Sequence, residues 1–232
     1  MTAATPTPVV FIPALLCDEA LYSDVIAALG GAIEAQVMLS PKPNLRDSVV
    51  DILSRAPATF ALVGTSYGGN LALEVALAAP QRVTALWLMG CNAAPAQPGG
   101  PDLAAALEAS PERVIERLSG LVVRKQDMAS AATFKAMAQR VGGPAGAAQA
   151  RAAATRQDAR SRLGRLTMPV LLLWGEEDAL SPIAYGQALA EGLPHAHLHV
   201  LKDCGHLPTL EKPAESAALF RELLHEVTKN KA

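Results

Sequence analysis

Aromatic side chains are scarce in this 232-residue chain, four Phe, three Tyr and two Trp or 4% in all, so any pocket it encloses has mostly aliphatic walls. Its three cysteines, Cys17, Cys91 and Cys204, are odd in number and lack CxxC spacing. That argues against a disulfide framework and a structural zinc site, and no metal is expected. No apolar run approaches the roughly 20 residues that a bilayer span needs. The opening MTAATPTPVV has neither the basic region nor the long apolar stretch of a secretory leader, so no membrane partner and a cytoplasmic location are expected. Neither sign of charge dominates: 20 basic and 22 acidic residues give a net charge of -2. They are interspersed, leaving no electrostatic footprint for nucleic acid. None of these features sets an oligomeric state.

What the chain has in quantity is apolar residues, 50% of the total, enough to bury a substantial core. VVFI (9–12), FALV (60–63), ALWLM (85–89) and VLLLW (170–174) are almost continuously apolar, as strands covered on both faces of a parallel sheet are. QVML (36–39) and HLHVL (197–201) are two further strand candidates. Helical patterns lie between them at 45–55, 70–79, 183–191 and 214–227. The alternation predicts an α/β fold with a mostly parallel sheet of about six strands. It lapses from Ala94 to Leu166, where helical patterns open at Ser110 and Ser130 and a third runs over 145–163. We expect a helical cap at 94–166, departing from the carboxyl end of the fourth strand and dividing a core of 1–93 and 167–232.

VGTSYGG (63–69) places Ser66 between an apolar strand and a helical segment, the strand, sharp turn and helix context of a nucleophile elbow. Gly64 and Gly68 flank the serine where side chains would collide as the turn tightens, and Gly69 lets the helix approach its neighbour. A phosphate-binding loop also joins strand to helix, and Gly64 and Gly69 fit its spacing. Asn70 and Leu71 stand where its Lys and Ser/Thr are needed.

A serine nucleophile needs a base, and the base an orienting acid. His195, His197 and His199 read as the exposed face of an edge strand, and His225 as the solvated face of a helix. His206, in KDCGHLPTLEKP, lies in the loop between the last strand and the last helix, at the same end of the sheet as Ser66. Asp178, in GEEDALSP after VLLLW, is the favoured acid over Glu176 and Glu177; past the fourth strand GCNAAP offers only Asn92. The order Ser66, Asp178, His206 is that of one hydrolase fold.

GTSYGG, GEEDALSP and DCGHLPTLEKP, with FIPALLCDEALY near the start, resemble the α/β-hydrolase superfamily, especially small bacterial members with a "PGLLCD" type loop. The resemblance covers almost the whole chain. It implies that Ser66 attacks an acyl carbon, that His206 takes and returns the proton, and that Asp178 holds the imidazole. Against the full fold, the chain starts at what would be the third strand, without the leading hairpin. Pro13-Ala14 stand where many members have His-Gly. The oxyanion donors are then the backbone N–H of Tyr67 and that of Leu15, with Leu16 as the near alternative. The implied activity is hydrolysis of small to medium carboxylic esters through an acyl-enzyme, without a cofactor. Lactone hydrolysis, carbon–carbon bond cleavage and perhydrolysis are alternatives within the fold, and a non-catalytic ligand sensor is the alternative outside enzymology.

Overall fold

The computed structural model describes residues 5–97 and 99–229. The first four residues of the leading stretch, Pro98 of the linker and the last three residues lie outside this range. In chain order the elements are β1 (Thr7–Ile12), α1 (Ser23–Leu29), β2 (Ile33–Val37), α2 (Leu45–Arg55), β3 (Phe60–Thr65), α3 (Tyr67–Ala78) and β4 (Val83–Met89). Then come α4 (Leu103–Ala109), α5 (Pro111–Ser119), α6 (Met128–Ala154), β5 (Val170–Gly175), α7 (Ile183–Gly192), β6 (Ala196–Leu201), α8 (Pro208–Glu211) and α9 (Pro213–Lys229).

The six strands form one sheet in the order β2-β1-β3-β4-β5-β6, and every neighbouring pair is parallel. Alternate residues of the inner strands feed two apolar layers, which is why these strands read as unbroken apolar runs. Val9, Phe11, Val63, Trp87 and Leu173 pack with α1 and α9 on one face. Val10, Ile12, Leu62, Leu88 and Trp174 pack with α2, α3 and α7 on the other. The chain winds outward from β1 to β2 and then returns to β3 on the far side of β1, so β1 and β3 straddle the point where the order reverses. Ligands of open α/β sheets sit outside the strand ends at such a point.

Several sequence expectations change. The second strand is Ile33–Val37 rather than 36–39. It is a polar edge strand whose register, from Thr7 opposite Ile33 to Phe11 opposite Val37, is imposed by β1. Helix α1, only 7 residues long, escaped a reading by periodicity, and so did α4, capped by Asp102 accepting from Ala105 N–H at 2.9 Å. The pattern opening at Ser110 becomes α5, which ends at Ser119. The pattern opening at Ser130 and the one over 145–163 are a single helix, α6, which kinks at Gly142-Gly143-Pro144, with Gly142 at φ 78°, and ends at Ala154 rather than at 163.

Candidate active site

Ser66 joins β3 directly to α3 and has φ 57°, ψ -118°, a left-handed conformation that a side-chain-bearing residue adopts only when its surroundings impose it. Its N–H donates to the Met89 carbonyl at 2.7 Å, tying the turn to the end of β4. The flanking glycines are sterically required. A Cβ on Gly64 would stand 2.4 Å from the Gly68 carbonyl oxygen, and one on Gly68 would stand 2.1 Å from the Ile12 carbonyl oxygen. On Gly69 a Cβ would meet the Cys91 Cβ at 2.8 Å. Backbone therefore passes backbone at contact distance, and the turn holds the serine clear of the strand with its side chain partly exposed. Among the described residues, the non-glycine positions at positive φ are Leu16, Ser66 and Asp203, each on a loop at the carboxyl edge of the sheet.

The fold brings His206 and Asp178 together: Nδ1 and Oδ2 are 2.8 Å apart, and the two side chains are 4% and 2% exposed. The other carboxylate oxygen of Asp178 accepts the N–H groups of Leu180 and Ser181 at 2.9 and 2.8 Å. The loop after β5 thus grips the acid and leaves one oxygen for the imidazole. Glu177 turns instead to Arg124, at 3.0 Å near the surface, and its N–H donates to the Cys204 carbonyl at 2.9 Å. The imidazole lies over Gly90, whose register neighbours place it beside Ser66. A Cβ there would stand 2.6 Å from His206 Cε1, and Gly90 has φ 56°. His195, His197 and His199 are exposed at edge strand β6.

Leu15, partly exposed, and Leu16, fully buried, follow β1. They differ in what their amides do. Leu16, at φ 63°, donates its N–H to Gln149 Oε1 at 2.9 Å. The Leu15 and Tyr67 N–H groups have no acceptor among the described residues. Of the two leucines, then, Leu15 is the one whose amide has no acceptor among the described residues. The three cysteines are buried free thiols. Burial pushes the thiols of Cys17 and Cys204 far up, with Asp18 and Glu211 adding to the respective effects. Cys91 is pushed up to about 12 by burial, which outweighs the opposing pull of Arg156.

Sequence reasoning missed the residues that hold these loops. Glu211 Oε2 accepts the N–H groups of Gly205 and Arg124, both at 2.9 Å, while Oε1 accepts that of Leu207 at 3.2 Å. It therefore braces both neighbours of His206 and joins them to the segment between α5 and α6. Burial raises its pKa despite the three donors. The buried Tyr22 hydroxyl donates to the Ile12 carbonyl at 2.9 Å and lies 2.8 Å from Thr65 Oγ1, locking the ends of β1 and β3 together just before Ser66. A carboxylate five residues after a loop histidine was a readable signal for Glu211; nothing local marked Tyr22.

Between β4 and β5, Ile115, Phe134 and Met137 are buried in the same apolar cluster that takes in Leu16, Cys204 and Leu207. Val114, Leu118 and Leu121 instead line a cavity of about 520 Å³ bordered by the exposed Arg113 and Arg117, and neither Ser66 nor His206 is among its lining residues. Arg124 is committed to Glu177 and Asp203, at 3.0 and 3.2 Å.

Residues 47–213 match the model of a family described as alpha/beta hydrolase fold. A 2-hydroxy-6-oxononadienedioate/2-hydroxy-6-oxononatrienedioate hydrolase of Cupriavidus pinatubonensis is 34% identical over an alignment of 166 residues that covers 62% of this chain and 55% of that protein. The chain thus spans little more than half the length of this relative. A pimeloyl-[acyl-carrier protein] methyl ester esterase of Chromobacterium violaceum is 31% identical over 192 residues, covering 77% of this chain and 75% of that protein. In three dimensions the chain is similar to a thermophilic esterase from Thermogutta terrifontis, with TM-score 0.83, 22% identity and coverage of 97% and 91%, a likeness of fold alone. Among the described residues no helix is long and apolar enough to cross a membrane.

Proposed function

The chain belongs to the alpha/beta-hydrolase fold family, and from that membership we propose that it is a serine hydrolase of small to medium carboxylic esters acting through an acyl-enzyme. The observation that carries this reading is the buried His206–Asp178 pair at 2.8 Å, held over Gly90 beside the left-handed Ser66 turn. Ser66 Oγ attacks the acyl carbon while His206 Nε2 takes its proton, and Asp178 fixes the ring and stabilises the imidazolium. The oxyanion meets the N–H groups of Tyr67 and Leu15. The imidazolium returns the proton to the leaving alcohol, and water repeats the sequence on the acyl-enzyme to release the acid. In this reading residues 94–166 roof the acyl pocket over a core of 1–93 and 167–232.

The 31% identity to a methyl ester esterase supports an ester as substrate. The 34% identity to the oxononadienedioate hydrolase favours a second reading, in which the same residues act on an oxo-dienedioate of the kind that relative is named for. The test has two parts. A fluorophosphonate should label wild type at Ser66 by mass-spectrometric mapping, and Ser66→Ala should fold, resist labelling and lose ester turnover. Labelling elsewhere overturns the site; turnover of the oxo-dienedioate with no simple ester cleaved replaces the first reading with the second.

A further inference from the structure

Gln149 is a primary amide, 3% exposed, within an otherwise apolar packing of small residues on α6. Burying an amide is unfavourable unless its polar atoms find partners, and an apolar residue would fill the same space without that requirement. The partner that Gln149 finds is the Leu16 N–H, 133 residues away in sequence. That N–H belongs to a fully buried leucine at φ 63°, one residue beyond the free amide of Leu15. Left-handed backbone is unfavourable for a leucine, so something outside the loop must hold it there.

Helix α6 holds it on both sides of its kink. Before Gly142, Arg140 forks onto Asp18, with Nε to Oδ2 at 2.7 Å and Nη2 to Oδ1 at 3.0 Å. The same Asp18 Oδ1 accepts the Ala20 N–H at 3.0 Å. After the kink, Gly146 leaves room for the Leu16 side chain; a Cβ at Gly146 would stand 2.4 Å from Leu16 Cδ2. Gln149, three residues on and so on the same helix face, takes the amide. The left-handed Leu16 also lets the Cys17 N–H reach back to the Ala14 carbonyl at 3.0 Å, and that carbonyl shares its peptide plane with the Leu15 N–H. Were Leu16 to relax, this bond would break and the plane carrying the Leu15 N–H would be free to turn.

We propose that Gln149 is a positioning residue for the oxyanion site, using its side-chain carbonyl to hold Leu16 left-handed so that the Leu15 N–H faces the developing negative charge. The helical segment between β4 and β5 thereby acts in catalysis through the loop after β1 as well as by covering the pocket. The proposal rests on the serine-hydrolase reading given above.

Gln149→Met keeps the length of the side chain and removes the acceptor. It should lower kcat about 10- to 100-fold, the range for a displaced catalytic group, while KM stays within about threefold of wild type on the same reference. A trifluoromethyl ketone, whose adduct with Ser66 carries an oxyanion, should lose affinity by the same factor as kcat/KM. Gln149→Glu retains an acceptor and should recover most of the activity at neutral pH. Should Gln149→Met fail to fold, Gln149→Ala opens space for a water to replace the acceptor, and a kcat loss of a few-fold with the same ketone correlation is expected. A folded variant with wild-type kcat, or one whose loss lies wholly in KM or thermal stability, overturns the proposal while Ser66 labelling stands. Failure of wild type to be labelled at Ser66 is a different result and removes the underlying reading instead.

Discussion

Replacing Glu211 by Gln tests how the loop bearing His206 is held. In the wild type one carboxylate oxygen takes two backbone N–H groups at 2.9 Å and the other takes one at 3.2 Å. The carboxamide oxygen can occupy the first position and keep both of those bonds. Its NH₂ then faces the Leu207 N–H, so one bond is lost and two donors oppose each other. A buried donor left without a partner costs about 1–3 kcal/mol, and for a chain of this size each kcal/mol lowers Tm by roughly 2–4 °C. A fall of roughly 2–12 °C follows, read by thermal melting. Because Gly205 and Leu207 flank His206, kcat should also fall roughly 10- to 100-fold, the consequence of about 1 Å of misplacement. The exposed Glu215 is the control, and Glu215→Gln should lie within about 0.5 kcal/mol of wild type. Wild-type Tm and kcat in Glu211→Gln would refute the bracing role.

The raised pKa of Glu211 adds a pH signature. The native state holds its proton more tightly than the unfolded chain, so this contribution is full below the ordinary carboxyl value of about 4.3 and declines as pH rises through the raised one. The Tm gap between wild type and Glu211→Gln should therefore narrow on going from acid to neutral pH, and a widening gap would mean that the three donors outweigh burial. Asp178→Asn keeps the oxygen that accepts Leu180 and Ser181 N–H but misdirects the imidazole, and should cost up to about 10⁴ in kcat. Glu177→Gln breaks only a half-exposed pair with Arg124 and should change kcat less than twofold, about the effect of a surface ion pair; the reverse pattern reassigns the acid. Gly90→Ala drives a methyl group into the His206 ring at 2.6 Å and should lower kcat about 100-fold in steady-state assays, an expectation sunk by near wild-type turnover. Across esters of graded acyl length, Phe134→Leu should move the optimum to longer chains while Leu118→Ala leaves it in place, since Leu118 lines a different cavity; an unmoved profile in Phe134→Leu would remove Phe134 from the pocket wall.

By itself the sequence determined the parts of this protein that depend on local chemistry. Unbroken apolar runs marked the strands covered on both faces, and glycines at fixed offsets from Ser66 marked a turn that only they can make. Ser66, Asp178 and His206 could be placed at one edge of the sheet because each lies on a short loop after a strand, where chain position nearly dictates place. Tertiary structure decided what rests on contacts between distant segments. The second strand took its limits from its neighbour because the polar edge sequence IEAQV has little preference of its own. Helix α6 passed through Gly142-Gly143-Pro144 because packing on both sides of the kink compensates for a conformation that local propensity disfavours. The separate fates of the Leu15 and Leu16 amides followed from Gln149, 133 residues beyond Leu16. A backbone N–H carries no mark in the sequence of its residue, so only the folded chain determines which of two adjacent amides is occupied and which is free.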